Sequence, residues 1–415
     1  MRSARPAALA LLPLLLALML LTACAPDEST GTADTTTSSS ATCTSTTFPP
    51  ADTTSPSAGT ETPAAMYRGN PERTGVYPGT GPLEPPELLW KFKTGDVVWS
   101  SPVVSQGVVY VASDDDYLYA IDAASGRQKW KFRTGNWIRS SPAVSDGLVY
   151  VGSADTCLYA VDAESGEEVG EFPTMAPMFS SPAIQDGTLY FGSDQLYALE
   201  SGSGQEKWTF KSDEAVRCSP AVSEGVVYVV AGSRVRALTA ATGQEIWESE
   251  NGVQGWGAPY GGELGYCSPA VADGELYLAG PDSRLFALDA ATGRTLWTFS
   301  ESFAPGSSAA VSAGTVYFCE RHGRLFAVDA RSGLKKWVFQ TGSKEWGGGS
   351  VCSSPAVCGG AVYVGGDDGY LYAVDAQTGK GLWKYQTGGM VRSSPAVSDG
   401  VVYFGSADGY LYALK

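Results

Sequence analysis

From residue 88 onward the chain alternates between short apolar runs and small polar punctuation. Runs of about five or six residues rich in Val, Tyr, Phe, Leu and Trp are separated by Gly, Asp and Ser clusters. In the first such stretch, 100–105 leads to a turn at Gln106-Gly107, followed by 108–113 and an acidic turn at 114–116. Residues 117–122 follow, then a turn at Ala123-Ala124-Ser125-Gly126, then 129–134. Short β-branched and aromatic runs bounded by such residues predict antiparallel strands joined by tight turns. No segment downstream of residue 24 carries an apolar stripe of helical period.

The pattern is periodic. Ser-Pro-Ala-Val or a near copy puts a proline at Pro102, Pro142, Pro182, Pro220, Pro269, Pro355 and Pro395, and an eighth copy has Ala309 in its place. Successive spacings are 40, 40, 38, 49, 40, 46 and 40. Four short strands in about 40 residues make one propeller blade. A second marker lies eight residues after the end of each third strand, at Trp130, Trp208, Trp247, Trp297, Trp337 and Trp383, with Gly170 the exception. So many equivalent indoles predict packing between blades.

The two ends complete each other. The last unit stops after three strands, at Leu411-Tyr412-Ala413-Leu414-Lys415, while 88–95 is an unattached strand carrying Trp90. Joined, they complete an eighth blade and leave the ring without a loose edge. The expected fold is all-β: an eight-bladed propeller of four-stranded antiparallel blades over 66–415, closed by an N-terminal strand.

Upstream, residues 1–23 read as an export signal, with Arg2 and Arg5 ahead of an apolar run over 7–23 that Pro13 interrupts. That run is shorter than the roughly 20 residues that span a bilayer. It ends in Leu21-Thr22-Ala23-Cys24, which resembles the bacterial lipobox. The resemblance implies a lipid on Cys24 and attachment to a membrane on its extracytoplasmic side. Residues 24–65 are almost wholly Ser, Thr, Pro, Ala, Gly and acidic residues, with nothing to build a core, and predict a disordered tether. Cys43 is its one unassigned member.

Composition narrows the function. A net charge of −16 excludes a nucleic-acid binder, which needs a Lys/Arg-lined surface. The single histidine, His322, excludes His-based triads and metal clusters. The run 114–116 reads as a polar turn rather than a calcium site. Seven cysteines remain besides Cys24, and their pairing stays open.

Two loops exceed the repeat length: 249–265, with Trp256 and Tyr260, and 343–351, with Trp346. Both are candidates for partner recognition, or else their aromatics fold down onto the blade tops. Three residues before each marker position stand Trp99, Arg139, Phe179, Arg217, Tyr266, Gly306, Cys352 and Arg392, which should ring the channel mouth. The arginines suit an anionic ligand or an acidic partner segment, or else pair with the acidic turns at 114–116, 155, 367–368 and 408.

The stretches Ala-Val-Asp-Ala-Gln-Thr-Gly-Lys-Gly-Leu-Trp383 and Ala-Leu-Asp-Ala-Ala-Thr-Gly-Arg-Thr-Leu-Trp297 resemble the tryptophan-docking repeat of the PQQ-binding-like propellers. That superfamily includes quinoprotein alcohol dehydrogenases and BamB-type lipoproteins. The segment from Tyr67 to Gly75 also resembles those that precede such propellers. The resemblance implies a non-catalytic, monomeric scaffold for an envelope protein or polymer, with no cofactor. A small-ligand or polymer sensor using the Arg/aromatic mouth is the alternative. A dehydrogenase holding pyrroloquinoline quinone and calcium is the third reading, against which the chain lacks the adjacent Cys-Cys pair of the quinoprotein alcohol dehydrogenases.

Overall fold

Each forty-residue repeat folds into one antiparallel sheet, and the sheets follow one another around a closed ring. The computed structural model describes residues 64–231, 234–249, 268–280, 284–301, 306–320, 322–342 and 353–415. All the described residues fall within one compact unit. No helix among the described residues is long and apolar enough to cross a membrane.

Blades 1 to 7 occupy 103–133, 143–173, 183–210, 221–248, 270–300, 310–340 and 356–386. Blade 8 is 396–414 plus β2 (Leu88–Lys93), which pairs antiparallel with Tyr410–Leu414 in the register Trp90↔Ala413 and Lys93↔Tyr410. The expected eight-bladed, end-to-end closure is therefore the observed one. Second strands such as Val108–Ala112 are buried along their whole length because neighbouring blades cover both sheet faces, hence their unbroken apolar runs. Outer strands such as Gln128–Arg133 are mostly exposed, with Trp130 turned inward.

That inward turn has a cause the repeat pattern does not display. Every outer strand carries a bulge just before the tryptophan position, as between Gln128 and Trp130, which re-aims the side chain toward the next blade. There the indole N–H donates to a turn carbonyl. Trp90 donates to Ala123 O at 2.9 Å, Trp130 to Ala163 O at 3.0 Å and Trp208 to Ala240 O at 2.8 Å. Trp247, Trp297 and Trp337 reach Ala290, Ala330 and Ala376 in the same way, whereas Trp383 uses Pro82 O at 2.8 Å. In blade 2, where Gly170 replaces the indole, the buried Tyr150 hydroxyl donates to the equivalent carbonyl, Ser201 O.

The N-terminal segment supplies an element without periodicity. β1 (Ala65–Met66) adds a fifth strand at the inner edge of blade 2, with Ala65 opposite Val144. The chain then passes along the inner strands of later blades. Pro71 O accepts from Val222 N at 2.9 Å, Glu72 O from Val271 N at 2.9 Å, Thr74 O from Val311 N at 2.8 Å and Gly75 O from Val357 N at 2.8 Å. These N–H groups belong to inner edges that would otherwise lack a strand partner.

Candidate binding site at the channel mouth

The Ser-Ser-Pro marker builds the channel wall. The first serine turns into its own blade, as Ser100 Oγ does toward the Ala112 amide at 2.8 Å. The second reaches the neighbouring blade, and its Oγ accepts the backbone N–H of the preceding blade's serine. This contact runs from Ser101 to Ser141, Ser181, Ser219, Ser268, Ser308, Ser354, Ser394 and back to Ser101, at 2.8–3.1 Å. The belt closes on itself. It lines a channel cavity of about 130 Å3 that Tyr67 and the rim residues Trp99, Arg139, Phe179, Arg217 and Arg392 also border.

The N-terminal segment is pinned from below by Arg73, which is fully buried. Its guanidinium donates to Pro220 O at 3.0 Å, Ser181 O at 2.8 Å, Pro182 O at 2.8 Å and Tyr67 O at 2.6 Å. Burial lowers its pKa to about 9. Arg68, equally buried, donates to Arg73 O at 2.9 Å and to Ala309 O. Their signal in the sequence is a pair of arginines among glycines and Asn-Pro, with no apolar period around it.

At the mouth the structure brings together rim residues of five successive blades. Arg139 grips Asp114 of the preceding blade through Nε at 3.2 Å and Nη2 at 2.9 Å and lies 4.5 Å from the Trp137 ring centroid. Arg392 grips Asp367 at 2.6 and 2.9 Å and lies 5.5 Å from the Trp99 ring centroid. Arg217 lies 5.7 Å from the Phe179 ring, and that ring is 5.4 Å from Trp137. The result is an arc of guanidinium groups set against aromatic faces. Trp137 was not among the residues singled out, although an indole in the turn Thr134-Gly135-Asn136-Trp137 is out of keeping with its polar neighbours.

Not every acidic turn serves the arginines. Asp155 instead accepts from Gly135 N at 2.6 Å and the Tyr159 hydroxyl at 2.8 Å, clasping blade 1 to blade 2. Asp408 does the same with Gly388 N and Tyr412. His322 stands half exposed in a turn of blade 6, 3.4 Å from Glu320. Cys24, Trp256, Tyr260, Tyr266 and Trp346 lie outside the described residues.

The described part of the channel does not fit a planar three-ring cofactor with a calcium ion. Its cavity of about 130 Å3 lies below the roughly 300 Å3 where small-molecule sites begin. Calcium takes about six to eight oxygens, whereas Asp114 and Asp367 are engaged by arginines. Among the described residues no group of three or more His, Cys, Asp or Glu side chains is placed to hold a metal.

A repeat-family model described as outer membrane protein assembly factor BamB matches residues 83–178, 157–258, 249–344 and 339–415. Among solved structures, BamB from Moraxella catarrhalis superposes with a TM-score of 0.67 at 19% identity, covering 80% of this chain and 100% of that one. Quinohemoprotein alcohol dehydrogenase from Comamonas testosteroni gives a TM-score of 0.70 at 17% identity, covering 86% and 81%. The computationally designed Ika8 protein gives 0.66 at 15% identity, covering 79% and 99%. At these identities the likeness is one of fold. No curated protein sequence matches the chain.

Proposed function

This chain belongs to the family described as outer membrane protein assembly factor BamB, and from that premise we propose that it is a non-catalytic, exported binding propeller. In this reading a lipid on Cys24 holds it at a membrane, and the channel mouth takes a segment of an envelope protein or polymer. The arc of Arg139, Arg217 and Arg392 against Trp137, Phe179 and Trp99 carries the reading. Arginine and aromatic side chains are the anchors that dominate protein interfaces. Asp114 and Asp367 hold two of the guanidinium planes in place, so less side-chain entropy is lost on binding.

The test compares wild type with the triple variant Arg139→Gln/Arg217→Gln/Arg392→Gln for quantitative co-purification of envelope components. A drop of about tenfold is expected, which is about 1.4 kcal/mol of binding free energy. Unchanged co-purification by a variant that melts like wild type contradicts the reading. Incorporation of a fatty-acid analogue should disappear in Cys24→Ala.

The fold likeness to dehydrogenases supports a second reading. Dye-linked alcohol oxidation by the purified chain with pyrroloquinoline quinone and Ca2+ would displace the scaffold reading.

A further inference from the structure

Two residues beyond its tryptophan position, the outer strand carries an aromatic ring in seven of the eight blades, as at Phe92, Phe132 and Tyr385. That ring fills the cleft to the next blade. At six boundaries it meets an aromatic ring on the neighbour's third strand, as Phe132 meets Tyr159 at 5.3 Å and Phe339 meets Tyr372 at 5.7 Å between centroids. Between blades 3 and 4, Arg236 lies 5.3 Å from the Phe210 ring instead.

Blade 4 is the exception, because its residue at this position is Ser249. The outer strand stops at Glu248, and the serine folds back on its own blade. Its amide donates to Val235 O at 2.9 Å, and its hydroxyl oxygen accepts from Val235 N at 3.1 Å. Across the boundary, Phe286 stands where blades 1 and 6 place Tyr119 and Phe326. It is only half-buried, whereas those two are buried. Between the blades opens a cleft of about 620 Å3, with Val235, Leu278, Phe286 and Leu288 as apolar walls and Thr292 and Thr295 at its edge. That volume falls among small-molecule sites, which run from roughly 300 to 1,000 Å3. Apolar walls without a facing group forgo the packing contacts that the other clefts make.

Three charged residues also line the cleft, and the protein answers each. Arg234 and Arg236 hold Glu248. Hydrogen bonds from Thr292, with the charge of Arg294 adding to them, hold Asp289 below the usual carboxylate range. The cleft therefore asks no charge of its occupant.

We propose that the cleft between blades 4 and 5 binds a small uncharged aromatic molecule, whose ring lies against Phe286 where a phenylalanine side chain lies in the other blades. The fold itself shows the chemistry that suits this space, since its equivalents are filled by rings. The cleft shares no lining residue with the channel, so this site is separate from the mouth.

The test is equilibrium dialysis of the full chain against 2-naphthol, a neutral two-ring phenol, at neutral pH. One saturable site per chain is expected. Ser249→Phe restores the ring that the other blades carry, and Thr295→Tyr fills the cleft from the blade 5 side. Each should weaken binding at least about tenfold, because the added ring takes the volume the probe needs. Absence of saturable binding to wild type would overturn the proposal, as would undiminished binding by either variant that unfolds as cooperatively as wild type. Neither substitution touches the channel mouth, so failure here leaves the scaffold reading standing.

Discussion

Asp114 holds Arg139 across a blade boundary, 25 residues apart in sequence, and Asp367 holds Arg392 at the same separation. The repeat thus produces one ion pair twice, on either side of Trp99. Each pair is only partly exposed, at 21% and 12% for the side chains of the first and 23% and 11% for those of the second. Arg139→Ala should cost about 1–2 kcal/mol, because it leaves a largely buried carboxylate without its cation. Asp114→Asn combined with Arg139→Gln should cost less than the two single changes added together. Thermal melting of the four proteins in a double-mutant cycle checks this.

The Trp130 socket gives a paired test on glycine. Gly147 and Gly166 have nearly the same backbone angle, φ +78 and +76, where L side chains are strained. A Cβ at Gly147 meets nothing within 4 Å, whereas one at Gly166 falls 2.6 Å from the Trp130 ring. Gly147→Ala should cost about 1 kcal/mol, for the backbone alone. Gly166→Ala should cost about 2 kcal/mol more because the indole must move. Equal losses in urea unfolding would show that the socket is not tightly packed.

Arg73 is the largest single commitment of the N-terminal segment. Arg73→Met keeps much of the bulk but withdraws the donors from Pro220 O, Ser181 O, Pro182 O and Tyr67 O. Because buried acceptors left unmet each carry a penalty, a loss of about 2–4 kcal/mol is expected in chemical denaturation.

Alkaline pH should destabilise the ring. Burial, helped by nearby carboxylates, pushes Tyr110 and Tyr403 up to about 12, and burial with the Asp115 hydrogen bond pushes Tyr119 higher still. A raised folded-state pKa gives stability that is complete below the unfolded value near 10 and is lost as pH rises through the folded value. The melting temperature should therefore fall between pH 10 and 12, and less steeply in Tyr110→Phe/Tyr403→Phe. Tyrosine absorbance titrated against pH should show a late-ionising class that joins the normal one on unfolding.

What the sequence displays and what it hides divide along physical lines. Blade number, the Trp sockets and the pairing of Trp90 with Ala413 follow from features repeated at a fixed period, and each recurs because every blade meets the same neighbour. The serine belt is half legible: Ser-Ser-Pro is conspicuous, but its cyclic closure needs the ring. The route of the N-terminal segment is not legible, because Arg68 and Arg73 bind main-chain carbonyls, which carry no sequence signature. At the mouth, Arg139 and Arg392 meet two of the acidic turns, while Asp155 and Asp408, equivalent in appearance, clasp tyrosines instead. One residue of register in a turn decides between those roles.

The central claim is that the channel mouth, not the opposite face, meets the envelope partner. A photo-crosslinking amino acid placed at Trp137 on the mouth, and at Asp146 in the turn at the far end of the same blade, tests it in living cells. The account predicts a discrete adduct from position 137 and none from 146. Adducts from 146 alone, or the same adducts from both positions, would contradict it.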